Sequence, residues 1–310
     1  MKKIDFFCIG AQKSGTSWLY YRLNDLSDFS LPYIKELHYF DRSTCYPSPN
    51  KWSKLKLAER IFNCQLMYNA ILEISSAIYR FNWHKTKWML NWHLSKIDDS
   101  WYESLFSNLD GITGDITPAY SILEIEDVKK MHAVSPDAKI IFLLRNPVRR
   151  AISQFRFYYQ SRDISNIGLN DETIIEFIED QTQTLRSNYL RTINIYSKVF
   201  KRSNILIAFY DAIIDQPDKL LSGIVNFLGG NESNIDSRIL LKKINVSKKI
   251  AISSNIEEYL KEKYKPLIKK LSSIFGGYCK KWEDELNNNK VESKEYYPFI
   301  TLNKIKPRGF

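Results

Sequence analysis

The chain has 310 residues, of which 44% are hydrophobic and 26% charged, ordinary proportions for one large α/β domain or two small ones. No stretch approaches the unbroken apolar run that a membrane span needs, so the expectation is a soluble protein without a transmembrane segment. A net charge of +10 favours phosphorylated or polyanionic partners. The lysines are nevertheless scattered and no familiar nucleic-acid module is readable, so nucleic acid is not an expected partner.

The opening MKKIDFFCIG sets a charged start before a short apolar patch. That patch contains Asp5 and runs straight into a polar loop, so it reads as a strand and not as a signal peptide. The four cysteines, Cys8, Cys45, Cys64 and Cys279, lie far apart and form no C-x-x-C pair. They suggest neither a zinc site nor a disulfide framework, and a cytoplasmic location is the default.

In chain order, residues 4–9 form an apolar strand ending at Gly10, and residues 16–25 then show helical spacing of Trp18, Leu19 and Leu23. Residues 43–110 differ in texture, with five of the seven tryptophans among basic residues and helical periodicity, and read as a helical insertion. Its aromatic stripe fits a packed core better than stacking platforms for sugar rings. Lys139–Leu144 and Ile205–Phe209 are further apolar strands, of the kind covered on both faces. Helical patterns follow over 171–196 and over Pro217–Leu228, the second stopping at Gly229-Gly230. Strands alternating with helices imply a parallel α/β sheet. The polar run after Asn287 marks 287–310 as a C-terminal tail, in which 296–302 has the pattern to dock as an edge strand.

Chemistry concentrates in Gly10-Ala11-Gln12-Lys13-Ser14-Gly15-Thr16-Ser17, between strand and helix, where backbone amides and the positive helix end converge on an anion. Gly15 permits close approach, Lys13 supplies a point charge, and the hydroxyls of Ser14, Thr16 and Ser17 can donate to phosphate oxygens. Lysine precedes the second glycine by two positions here, whereas in the nucleotide triphosphatase loop it follows that glycine. A second reader stands at the end of Lys139–Leu144. It is Arg145 where a triphosphatase commonly has a carboxylate for magnesium, with Ser153 on the following helical stretch. Two phosphate readers on two strands ask for a ligand with two separate phosphates, and no metal is expected. An ATP-dependent kinase and a non-enzymatic nucleic-acid-binding protein are the competing readings.

The segments GAQKSGTSWLYYRL, KELHYFDR, GDITPAYS, KIIFLLRNPVRRAISQFRFYY and FYDAIIDQPDKLLSGIVNFLGG resemble the sulfotransferase superfamily that uses 3′-phosphoadenosine 5′-phosphosulfate (PAPS). Within it they are nearest the bacterial and heparan-sulfate-type carbohydrate branch. The resemblance implies one α/β domain over 1–286 with a P-loop-like parallel sheet flanked by helices and an insertion at about 43–110. It implies donor binding at Gln12, Lys13, Ser14, Gly15, Thr16 and Ser17, with the 3′-phosphate on Arg145 and Ser153 and, in a late basic loop, Lys248 and Lys249. Lys13 would serve the leaving oxygen, Glu36 would be the general base with His38 in reserve, and Asp115, Thr117 and Pro118 would lie near the acceptor. PAPS would be consumed and the bisphosphate PAP released, with a carbohydrate or another hydroxyl or amine as acceptor. The oligomeric state is not readable.

Overall fold

A computed structural model describes residues 4–47, 52–160, 170–235, 240, 252–287, 289 and 296–306. Its centre is a five-stranded sheet of order β2-β1-β3-β4-β5. The strands are β1 (Phe6–Gly10), β2 (Gly114–Ile116), β3 (Lys139–Leu144), β4 (Ile205–Phe209) and β5 (Phe299–Thr301). The first four run parallel, and β5 adds antiparallel to β4. Apart from the half-buried Lys139, every residue of β1, β3 and β4 is buried, which explains their unbroken apolar sequences. β2 went unread because three residues, Gly-Asp-Ile, show no period. The sheet is therefore mixed, with its antiparallel strand drawn from 296–302.

Helix α1 (Thr16–Asn24) follows β1 and buries Trp18, Leu19 and Leu23. The insertion holds α2 (Leu57–Phe62), α3 (Cys64–Tyr79), α4 (Trp83–Leu94) and α5 (Asp99–Ser104). The last three start at Asn63, Asn82 and Asp98, whose side chains each accept a first-turn amide. Its tryptophans are mostly core. Trp52 stacks on Trp92 at 4.5 Å, Trp92 on Trp88 at 5.4 Å, and Trp101 tilts against Trp92 at 5.3 Å.

Beyond β2 come α6 (Ile125–Val134), α7 (Pro147–Gln160), α8 (Asp171–Glu179), α9 (Gln181–Ser187) and α10 (Tyr189–Val199). The pattern over 171–196 reads as one helix but is three. Asp180 and Asn188 each turn out of the helix and cap the next one, accepting from Thr182 N and Arg191 N. After β4 lie α11 (Tyr210–Asp215), α12 (Pro217–Leu228), α13 (Ser254–Phe275) and α14 (Gly277–Leu286). α12 stops at Gly229 in the left-handed conformation, as its glycine pair predicts. Among the described residues no helix is long and apolar enough to cross a membrane.

Candidate active site

Parallel strands deliver their following loops to one end of the sheet. A crevice opens where neighbouring strands send their connections to opposite sides, as β1 and β3 do here. The loop after β1 is tied to β3 by Ala11 N donating to Leu143 O at 2.8 Å. It turns into α1 through Gly15, whose φ of +91° only glycine adopts without strain and where an added Cβ would collide with Ile213. Because the N-cap is glycine, no side chain caps α1, and its first-turn amides face the loop. Thr16 is buried, and Gln12, Lys13 and Ser17 are half-buried around it.

Arg145 follows β3 directly. One guanidinium nitrogen donates to Lys13 O at 2.7 Å, and the plane lies 4.2 Å from the centroid of Tyr210. Tyr189 OH holds the Arg145 carbonyl at 2.9 Å. Lys13 Nζ sits 4.1 Å from the Phe157 ring. Burial and then the Arg145 charge lower the Lys13 pKa, and burial lowers that of Arg145. Two cations thus stand close together, neither in an ion pair with a described carboxylate. Beside them Ser14 Oγ, Gln12 Oε1 and Arg145 Nε are buried without a hydrogen-bond partner. Two of these, Ser14 Oγ and Arg145 Nε, are donors, and with the unneutralised cations they fit an anion with phosphate-type oxygens, whereas Gln12 Oε1 is an acceptor. Ser153 is half-buried on α7, two turns beyond Arg145. Lys248 and Lys249 lie outside the described residues.

The segment Lys35-Glu36-Leu37-His38 brings a carboxylate to the same end, and its charge reaches Lys13. Glu36 pairs with Lys35 Nζ through one oxygen and faces His38 Nε2 at 3.6 Å through the other. His38 Nδ1 meets Asp41 Oδ2 at 2.7 Å, and Asp41 is fully buried. The result is a chain of carboxylate, imidazole and carboxylate. Burial opposes the charge of Glu36, but the facing His38 and the Lys35 ammonium prevail and hold its pKa at about 2. Burial likewise opposes a charged His38, but the hydrogen bond to Asp41 and the facing Glu36 carboxylate raise it to about 9. Sequence reasoning overlooked Asp41, although it stands three residues after His38 in the same quoted segment.

Lys13, Glu36 and His38 share a further property, with φ of 66°, 67° and 54°. Among the described residues the only other non-glycine with positive φ is Phe81, in the insertion. Left-handed backbone is costly for such side chains and persists where surrounding structure imposes it. Part of that imposition is visible. Tyr39 N donates to Tyr120 OH at 2.9 Å, Tyr120 OH donates to Asp115 Oδ2 at 2.8 Å, and Tyr102 OH joins the same oxygen at 2.8 Å. Thr117 Oγ1 takes the other oxygen of Asp115 at 2.7 Å. Asp115, Thr117 and Pro118 are buried, so they brace β2, the insertion and the Glu36 segment against one another.

A family model described as "Sulfotransferase domain" matches residues 3–297. Human heparan sulfate glucosamine 3-O-sulfotransferase 6 is 48% identical over 58 residues, 18% of this chain and 17% of that protein. The mouse protein of the same name is 45% identical over 58 residues, covering the same shares. The match therefore spans about a sixth of the length of these curated relatives. Among solved structures, a sulfotransferase from Alicyclobacillus acidocaldarius superposes with a TM-score of 0.57 at 19% identity, covering 94% of this chain and 99% of that one, a likeness of fold.

Proposed function

The chain belongs to the family of sulfotransferase domains, and from that premise we propose that it transfers a sulfuryl group from PAPS to an acceptor hydroxyl or amine, on a carbohydrate, without a metal. The observation that carries the reading is the meeting of the Lys13–Arg145 cation pair with the Glu36–His38–Asp41 chain at one end of the sheet. The likeness to the human relative, a heparan sulfate glucosamine 3-O-sulfotransferase, supports a saccharide acceptor. A single domain over 1–286 with its insertion at about 43–110 is part of the proposal, with 287–310 the tail that also lends a strand to the sheet. So is a cytoplasmic setting, where the four unpaired cysteines stay reduced.

In this reading the α1 amides with Ser14, Thr16 and Ser17 hold the 5′-phosphosulfate, and Arg145 with Ser153 holds the 3′-phosphate. A late basic loop carrying Lys248 and Lys249 would add to the latter. The acceptor oxygen attacks sulfur, the bond from sulfur to the bridging oxygen breaks, and PAP departs with that oxygen. Lys13 neutralises the charge growing there. Glu36 takes the acceptor proton. A carboxylate held at about 2 is a weak base, but it suffices because the acceptor hydroxyl becomes strongly acidic as its bond to sulfur forms. His38 is already protonated at neutral pH, with a pKa of about 9, so its role is to hold Glu36 ionised and aimed, itself fixed by Asp41. Arg145 occupies the place where a magnesium-binding carboxylate would stand, so a chelator leaves turnover intact.

Calorimetric titration with PAP in the presence of EDTA tests the donor site. Arg145→Ala removes a charge-assisted contact of about 1.5–3 kcal/mol, a loss of roughly 10- to 150-fold in affinity. Binding of ATP with magnesium in place of PAP, indifferent to Arg145, would refute the proposal.

A further inference from the structure

The α3–α4 hairpin carries a surface that sulfuryl transfer does not explain. α3 turns the small residues Ala70 and Ala77 inward, with Ile74 partly buried between them, and Glu73 meets His93 of α4 at 2.9 Å. Its outer face exposes Tyr68, Ile71, Leu72, Ile78 and Tyr79, a helical stripe left in solvent. At the tip Tyr79 is 84%, Phe81 80% and Trp83 64% exposed. Contiguous apolar exposure of this kind marks a contact surface.

Phe81 sharpens the point. α3 ends in a complete left-handed cap, with Phe81 N donating to Ile78 O at 2.8 Å and Asn82 N to Ala77 O at 3.1 Å. The residue at its pivot, usually glycine, is here phenylalanine at φ 52°. A bulky side chain is disfavoured in that conformation, and no packing compensates for it because the ring stands in solvent.

Charge indicates the occupant. Residues 74–97 contain Arg80, Lys85, Lys87 and Lys96 and no Asp or Glu. Among the described residues none of these cations has an ion-pair partner; Lys96 lies at the far end of α4, while Arg80, Lys85 and Lys87 stand near the apolar tip and give it an unneutralised basic rim. A second copy docking face to face would set these cations against their own counterparts. A bilayer bearing anionic lipid satisfies both features, since Tyr and Trp favour the headgroup level and each nearby Lys or Arg is drawn to the negative surface. The hairpin also leans on the stretch just before Lys35, through Tyr33 against Trp88 at 5.6 Å. We propose that the α3–α4 hairpin is a peripheral docking element for an anionic lipid surface, its aromatic tip inserted among the headgroups. The proposal is independent of the sulfotransferase reading.

Co-sedimentation with phosphatidylcholine vesicles, with and without phosphatidylglycerol, tests it with the full chain. Binding is expected to the anionic vesicles, to weaken with salt, and to fall roughly fivefold for each cation neutralised in Arg80→Gln and Lys87→Gln. Phe81→Gly relieves the backbone while removing the ring. It is expected to leave the thermal midpoint unchanged or higher while vesicle binding drops, a combination that a merely structural role would not give. Brominated lipid should quench fluorescence in the parent protein and not in Trp83→Phe. Absence of binding to anionic vesicles, or binding indifferent to Phe81→Gly, overturns the proposal. So does a dimer in light scattering that Phe81→Gly dissociates, or selective capture by acidic protein with none by vesicles.

Discussion

The charge on His38 should be measurable as stability. Its pKa rises from 6.5 in an unfolded chain to about 9 when Asp41 and Glu36 face it in the folded protein. Below pH 6.5 both states carry the proton and the contribution is fully present. Between 6.5 and about 9 only the folded state keeps it, and stability declines by about 1.4 kcal/mol per pH unit. Above that window about 3 kcal/mol has been lost. Urea denaturation from about pH 6 to about pH 10 measures the decline, with His38→Asn as reference because it keeps a donor near Nδ1 without a charge. The difference between the two proteins should shrink across the window. Should the variant fail to fold, a proton NMR titration of the imidazole reports the same quantity. A constant difference, or a histidine titrating near 6.5, would refute the coupling to Glu36 and Asp41.

Two further outcomes follow from the geometry. Lys13→Ala should lower kcat by about 100- to 1,000-fold while changing KM for PAPS little, because its charge matters most as the leaving oxygen develops; steady-state kinetics that show a KM effect alone would contradict this role. Tyr120→Phe deletes the hydroxyl between Tyr39 N and Asp115 and leaves both buried and short of a partner, at a cost of about 1–3 kcal/mol in thermal or urea unfolding.

The loop after β1 and its meeting with Arg145 were legible because strand, glycine, polar loop and helix follow one another within residues 4–25, and because Arg145 closes an apolar strand. The Glu36–His38–Asp41 chain was less so. Asp41 reaches His38 through space, and nothing in the residue types at 13, 36 and 38 announces a left-handed backbone, which is held from afar by Arg145 on Lys13 O and by Tyr120 on Tyr39 N. β2 is too short for its period to show, and Asp180 and Asn188 look like ordinary helix-face polar residues until they are seen as caps. The aromatic insertion divided as expected for the buried indoles of Trp88, Trp92 and Trp101, while Trp83 took a different path.

The antiparallel fifth strand has a practical meaning for anyone shortening this chain. Phe299 fits against Gly223 on α12, and Arg202 clasps the carbonyls of Leu302 and Ile305 at 3.0 and 2.8 Å, so the segment is stitched down at several points. Removing it would leave β4, wholly apolar, with an open row of amides and carbonyls along one side. Such a row recruits strands from other molecules. A truncation that looks like trimming a polar tail would therefore invite aggregation while leaving Lys13, Glu36, His38 and Arg145 in the chain.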